Sequence, residues 1–259
     1  MSGDLLGTTV TAVREAGELL KAAWSPDSRP AGAHDLMSAI RANEDLVVDV
    51  LRPALTGANW TQDEHATGPM PDGDWWVVDP VGGNVNAVHG MLDWNVGVSL
   101  VRDGRPVLAV VHAPLTGETF TALAGEGARL DGRPLRVSAK TDLGAAVVGT
   151  GQAKPDRSPG NAERFGSSIG AMLQAALYVR VSVPVTHQLT QVAAGRMDLH
   201  WQFDNVRAHI APLLVVQEAG GVVTHLDGRP WGIAGGGYLA AAPGLHAAAL
   251  EVLNASDDR

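Results

Sequence analysis

The chain has no cysteine. That excludes disulfides and every thiolate metal site. It is short of basic residues, with 19 Lys and Arg against 28 Asp and Glu, a formal net charge of −9. Basic surface is what holds a phosphate backbone, so this balance argues against a nucleic-acid partner. No apolar run approaches the roughly 18 residues that a membrane span needs. The first residues, MSGDLLG, have neither the basic nor the apolar part of a secretory leader, so a cytoplasmic location is expected. Internal repeats and low-complexity tails are also missing. What is present is globular material. There are 259 residues, 45% of them hydrophobic, enough for one large core or two packed halves.

Apolar spacing predicts helices near residues 8–24 and 36–55. Strands are expected at 75–79, 94–102, 106–112 and 119–124, with a further extended segment at 135–138. Asp103-Gly104 and Asp131-Gly132 read as tight turns between them. From near residue 145 on, strands (146–150, 178–183, 197–201, 222–225, 238–241) alternate with helices (160–176, 187–194, 205–219, 245–253). Such alternation predicts a layered α+β or α/β protein. The divide falls between an N-terminal half, 1–142, and a C-terminal half, 143–259.

Chemistry concentrates in one stretch, 75–86, WWVVDPVGGNVN. It reads as a buried strand entering a Gly-rich turn that carries one carboxylate, Asp79. Asp79 is either a working carboxylate or the cap of its own turn. Gly83 and Asn84 offer backbone N–H groups to an anion, although glycine also serves plain turns. Asp63, Glu64 and His65 put three acid–base groups side by side. Histidine suits proton transfer near neutral pH. Arg41 is an anion anchor or an exposed helix charge. His89, Trp94 and His187 complete the candidate substrate-binding set, with core or structural roles as their alternatives.

The stretch resembles the signature of the inositol monophosphatase superfamily, D-P-(I/L)-D-G-T-x-N. Asp79, Pro80 and Asn86 match it. The later run QEAGGVVTHLDGRPW resembles a second family element, through Glu218, Ala219, Gly220, Gly221, Asp227, Gly228 and Pro230. The resemblance implies an αβαβα sandwich with the active site between its halves, a homodimer, and hydrolysis of small phosphate esters with Mg²⁺.

Position by position, the resemblance is incomplete. Gly82 stands where the family has a metal-binding Asp, and Asn84 where it has a water-activating Thr. Asp63 falls at the position of a metal-binding acid, or Glu64 if the register slips by one. Counting back from Glu218 puts Arg207-Ala208 at a W-D motif, with Asp204 one helical turn earlier. Counting on from Asp35-Leu36 puts Arg41 at the carboxylate that partners the Thr. A guanidinium there would neutralise Asp63 and Asp79 without an ion. These losses predict a repurposed enzyme with no cofactor. It would use Asp79, Asp63, Glu64 and His65 for metal-independent cyclisation, elimination or isomerisation of a small molecule of specialised metabolism. Two alternatives remain open. One is an Mg²⁺-dependent phosphatase of a sugar, inositol or nucleotide phosphate, its ion held by Asp63, Asp79 and the Val81 carbonyl. The other is a non-catalytic binding protein.

Overall fold

A computed structural model describes residues 2–61, 63–152 and 160–257. The chain opens with two long helices, α1 (Ser2–Ala23) and α2 (Ala33–Ala54). Short β1 (Asn59–Trp60) then leads to β2 (Asp74–Gly82) and a one-turn helix, α3 (Asn84–Val88). A meander follows: β3 (Asn95–Arg102), β4 (Arg105–Ala113), β5 (Glu118–Leu123), β6 (Gly127–Leu130) and β7 (Arg133–Pro134). These strands form a seven-stranded sheet in sequence order, antiparallel except where β1 runs parallel to β2.

The remaining elements are β8 (Val147–Thr150), α4 (Asn161–Ala175), β9 (Tyr178–Val181), α5 (Val185–Ala193), β10 (Leu199–Gln202), α6 (Ile210–Glu218), β11 (Val222–His225), β12 (Tyr238–Ala241) and α7 (His246–Asp257). Their strands build a five-stranded mixed sheet in the order β11-β12-β10-β8-β9.

Three apolar layers hold the sandwich together. Val13 and Leu20 of α1 and Val47 and Leu51 of α2 pack with Trp76, Trp94 and Val98 of the first sheet region. Between the sheets, Leu189 and Val192 of α5 and Leu213 to Val216 of α6 meet Val111 and Phe120 on one side and Tyr238 and Ala240 on the other. On the far face, Met172 of α4 and Leu253 of α7 cover Val148, Trp201 and Leu239. The order is therefore helix pair, sheet, helix pair, sheet, helix pair. Helix α6 is buried from Ile210 through Val216 because it lies in the middle layer, which explains why its sequence is apolar on every face.

Two local expectations change. Residues 135–138 are not a strand. Leu135 N–H donates to Ala128 O and Val137 N–H to Ala219 O, so the segment is a connector tied into the middle layer. The partner of β6 is instead the short β7, joined through Asp131 and Gly132 at φ 49° and 79°. Two successive positive φ values make the turn that suits the strand twist. The helix expected over 205–219 begins later, as a 3₁₀ turn over Arg207–His209 followed by α6. The N–H groups of Arg207 and Ala208 are taken by the carbonyls of Ala66 and Glu64, at 3.1 and 2.9 Å.

Candidate active site

A cavity of about 680 Å³ is lined by residues between Met37 and Asn86 and between Gly151 and His209. Its floor is the end of β2. The ladder between β2 and β3 runs in register to Asp79 opposite Gly97, then shifts before Gly82 pairs with Asn95. Pro80 has no N–H to give to the ladder, so a bulge is where it fits. The bulge is also what re-aims side chains at a strand end, and Asp79, Val81 and Gly82 all line the cavity. Asp79 is only 6% exposed. Thr186, in the first turn of α5, donates its hydroxyl to Asp79 Oδ2 at 3.3 Å.

Gly83 follows at φ 87°, a left-handed backbone that favours glycine. A Cβ there would lie 2.8 Å from Pro184 Cγ and 2.9 Å from the Asp93 carbonyl. The turn is thus a tight passage between the two halves. It delivers Asn84 to helix α2. The Asn84 amide donates to Ile40 O at 2.9 Å and to Glu44 Oε1 at 3.1 Å, and its carbonyl accepts from Asn43 at 2.9 Å. Asn86 ties the same turn across the interface, donating to Val183 O at 2.9 Å and Asp93 O at 3.2 Å.

The carboxylate beside position 84 is therefore Glu44, not a group displaced by Arg41. Glu44 lies about one helical turn on from Arg41. Arg41 lines the cavity but is exposed, and its Nε donates to Met37 O of its own helix at 3.2 Å. Among the described residues it forms no ion pair, so the expected neutralisation of Asp79 by Arg41 is not made.

The acid–base triplet divides. Asp63 is exposed and outside the cavity, where its Oδ1 accepts from His65 N–H at 2.8 Å and caps the turn. Gln62, the neighbour in the quoted match, lies outside the described residues. Glu64 and His65 line the cavity, with His65 Nε2 3.5 Å from Glu64 Oε1. The hydrogen bond from Ala208 N–H fixes the Glu64 backbone against the C-terminal half. Glu64 is thus the acid this segment brings in.

Three other expected site residues stand elsewhere. Trp94 is fully buried between α1, α2 and the first sheet. His89 is outside the cavity lining, its Nδ1 2.7 Å from Val85 O. His187 is not among the residues that line the cavity, and burial lowers its pKa. Residues that sequence reasoning did not pick out do line it: Glu44, Thr186, Arg164, Phe165 and Phe203. Glu44 had a signal, because i+3 from Arg41 is the same helix face. Thr186 had none, since its approach to Asp79 depends on how the halves dock. Asp204 is in the lining, and so is His209, whose Nδ1 lies 3.1 Å from Tyr238 Oη.

Mg²⁺ takes hard oxygen donors, commonly one or two carboxylates, with water and substrate phosphate completing the octahedron. Asp79, Glu64 and the Val81 carbonyl are oxygen donors of that kind among the residues that line the cavity. Gly82 and Ala208 line the same cavity and bring no side-chain oxygen. Among the described residues no group of three or more His, Asp or Glu is close enough to cage an ion. Glu44 and Asp204 bring two further carboxylates to the same lining.

The comparisons with known proteins agree on the fold and family. The inositol monophosphatase family description matches residues 4–257. The Nus factor SuhB of Pseudomonas aeruginosa is 32% identical over 233 residues, 86% of each chain. The fructose-1,6-bisphosphatase/inositol-1-monophosphatase of Thermotoga maritima is 30% identical over 233 residues, 87% of this chain and 86% of that one. In structure, a Thermotoga maritima IMPase superimposes with a TM-score of 0.82 at 26% identity, covering 98% of both chains. These findings overturn two expectations. Metal-independent cyclisation, elimination or isomerisation has no support among relatives named as phosphatases. An enzyme with no cofactor conflicts with a family whose members are Mg²⁺-dependent. The expectation rests on Arg41 neutralising the carboxylates, and Arg41 Nε instead donates to Met37 O of its own helix. The chain belongs to the inositol monophosphatase family.

Proposed function

We propose that the protein is an Mg²⁺-dependent phosphatase that hydrolyses a small phosphate monoester. One observation carries the reading: a buried carboxylate, Asp79, stands at a bulged strand end in the lining of a large cavity that Glu64 and Val81 also line. Those three groups would hold the ion. When bound, Mg²⁺ polarises the phosphoryl oxygens and offsets the charge that develops on them.

The chain's own residues supply the rest. Thr186 holds Asp79 by its Oδ2, which limits the carboxylate's rotation. Asn84 cannot serve as a base, because an amide has no basic group. Its hydrogens are already given to Ile40 O and Glu44 Oε1. Glu44, held by that bond on the cavity wall, is the carboxylate that accepts the proton of the attacking water. Arg41, exposed on the rim, draws the phosphate in by charge.

The substrate is a small molecule, and the net charge of −9 keeps nucleic acid out of the proposal. A homodimer in the cytoplasm completes it, with light scattering as the check on the dimer. Among the described residues no helix is long and apolar enough to cross a membrane. The direct test is phosphate release from inositol, sugar and nucleotide phosphates, with Mg²⁺ or with EDTA. The reading expects release on at least one substrate that EDTA abolishes and Mg²⁺ restores. Release that ignores EDTA, or none on any substrate, counts against it.

A further inference from the structure

Position 82 brings no side chain to the end of β2, and the neighbouring strand supplies one. After the bulge, Gly82 pairs with Asn95, the first residue of β3. Directly opposite residues of an antiparallel pair present their side chains on the same face. Here the Asn95 carboxamide lies across the glycine. A Cβ at 82 would stand 2.6 Å from Asn95 Oδ1 and 3.2 Å from its Cγ, closer than side chains pack. Gly82 thus leaves the space that Asn95 fills. The same Cβ point is 2.8 Å from Asp79 Oδ2. Two side-chain oxygens, one from each strand, therefore converge beside the cavity that Asp79 and Gly82 line.

Asn95 is 1% exposed, and among the described residues neither its Oδ1 nor its Nδ2 has a hydrogen-bond partner. A buried amide without partners lowers stability, so native chains rarely keep one without a use. Its oxygen stands near a carboxylate oxygen, an arrangement that repels unless positive charge comes between them. A hard cation reverses the sign, because it draws oxygen donors together. A neutral donor also suits the charge balance. Asp79 and Glu64 already match a divalent ion, and Asn95 adds an oxygen without a third negative charge.

We propose that Asn95 is a metal ligand: its Oδ1 joins Asp79 Oδ2 on the Mg²⁺ ion and takes the part of the side chain that Gly82 lacks. The inference rests on the phosphatase reading for the identity of the ion, but its test reads stability and binding, not turnover. Urea midpoints would be measured in EDTA and in Mg²⁺ with inorganic phosphate, for the wild type, Asn95→Leu and Asn95→Asp. Calorimetric titration of Mg²⁺ into the same proteins gives the affinities.

In EDTA, Asn95→Leu should have the higher midpoint, because leucine has a similar shape and strands no polar group. Mg²⁺ should raise the wild-type midpoint, and that of Asn95→Leu less, with affinity weaker by about tenfold or more. Asn95→Asp sets a second buried carboxylate beside Asp79. It should be the least stable of the three in EDTA and should bind Mg²⁺ more tightly than the wild type. A lower midpoint for Asn95→Leu in EDTA would show an amide bonded within the metal-free protein, and would overturn the proposal. Equal Mg²⁺ affinity in the wild type and Asn95→Leu would overturn it too. If Asn95→Leu does not fold, Asn95→Ala carries the affinity comparison. Mg²⁺ binding that is lost in Asp79→Asn and untouched in Asn95→Leu would remove this inference and leave the phosphatase reading standing. The expected losses at Asn95, with no phosphate ester hydrolysed, would do the reverse. No Mg²⁺ binding by the wild type would remove both.

Discussion

At the scale of single residues, the account rests on which carboxylates share one space. Asp79, Glu64 and Glu44 line the cavity, and Asp63 does not. Glu44→Gln keeps the shape and the bond to Asn84 but removes the proton acceptor. It should lower kcat about a hundredfold or more while leaving KM and the melting temperature near wild type. Steady-state kinetics on the best substrate checks this, and a KM effect alone would move Glu44 from proton transfer to binding. Asp63→Asn, by contrast, should change activity less than about twofold, since Asp63 serves its own turn. Asp79 was legible from its place between a buried strand and a glycine turn. Glu44 was passed over although it shares a helix face with Arg41, because its bond to Asn84 joins α2 to a turn 40 residues away and leaves no local mark on the sequence. Glu64 and Asp63 are adjacent in sequence, and what separates them is tertiary: the segment is tied by Arg207 N–H to Ala66 O and Ala208 N–H to Glu64 O, while Asp63 caps its own turn.

At the scale of elements, the site depends on β2, its bulge and the turn into α3. Gly83 combines φ 87° with close approach to Pro184 and the Asp93 carbonyl. Gly83→Ala should therefore destabilise the fold by about 1–3 kcal/mol and lower activity further than the stability loss explains. Urea denaturation and kinetics on the same preparation separate the two. An alanine variant with wild-type stability would show that the turn is looser than described. The helices and central strands were readable because periods of 3.6 and 2 repeat through them. The β6–β7 hairpin was missed because β7 is two residues long, too short for any period. The start of α6 was misplaced because its first N–H groups bond to the distant segment at 64–66. Such tertiary bonds leave no local mark on the sequence.

At the scale of the whole molecule, the stability has a pH dependence written into the core. His200 lies fully buried on β10, and burial, with His209 beside it, lowers its pKa to about 3. Burial also lowers His112, His187 and His246. The unfolded chain takes up these protons below roughly pH 6.5, while the folded chain resists. Stability is thus complete above that pH and is lost as pH falls towards the folded value of about 3 for His200. At its steepest, one such group contributes on the order of 1.4 kcal/mol per pH unit. Urea midpoints between pH 7 and 4.5 should fall, and His200→Leu should flatten that fall. A His200→Leu curve parallel to wild type would show that the ring is not the source.

The family was legible at this scale because several motifs recur in order over the chain. The chemistry was not, because missing ligands at Gly82 and Ala208 were read without the geometry of those that remain. The most direct test of the central claim is a calorimetric titration of Mg²⁺ into the wild-type protein and Asp79→Asn, with inorganic phosphate present. The account predicts about one ion bound per chain in the wild type, from the Asp79, Glu64 and Val81 donors, and binding lost in the variant. No binding in the wild type, or equal binding in Asp79→Asn, would contradict it.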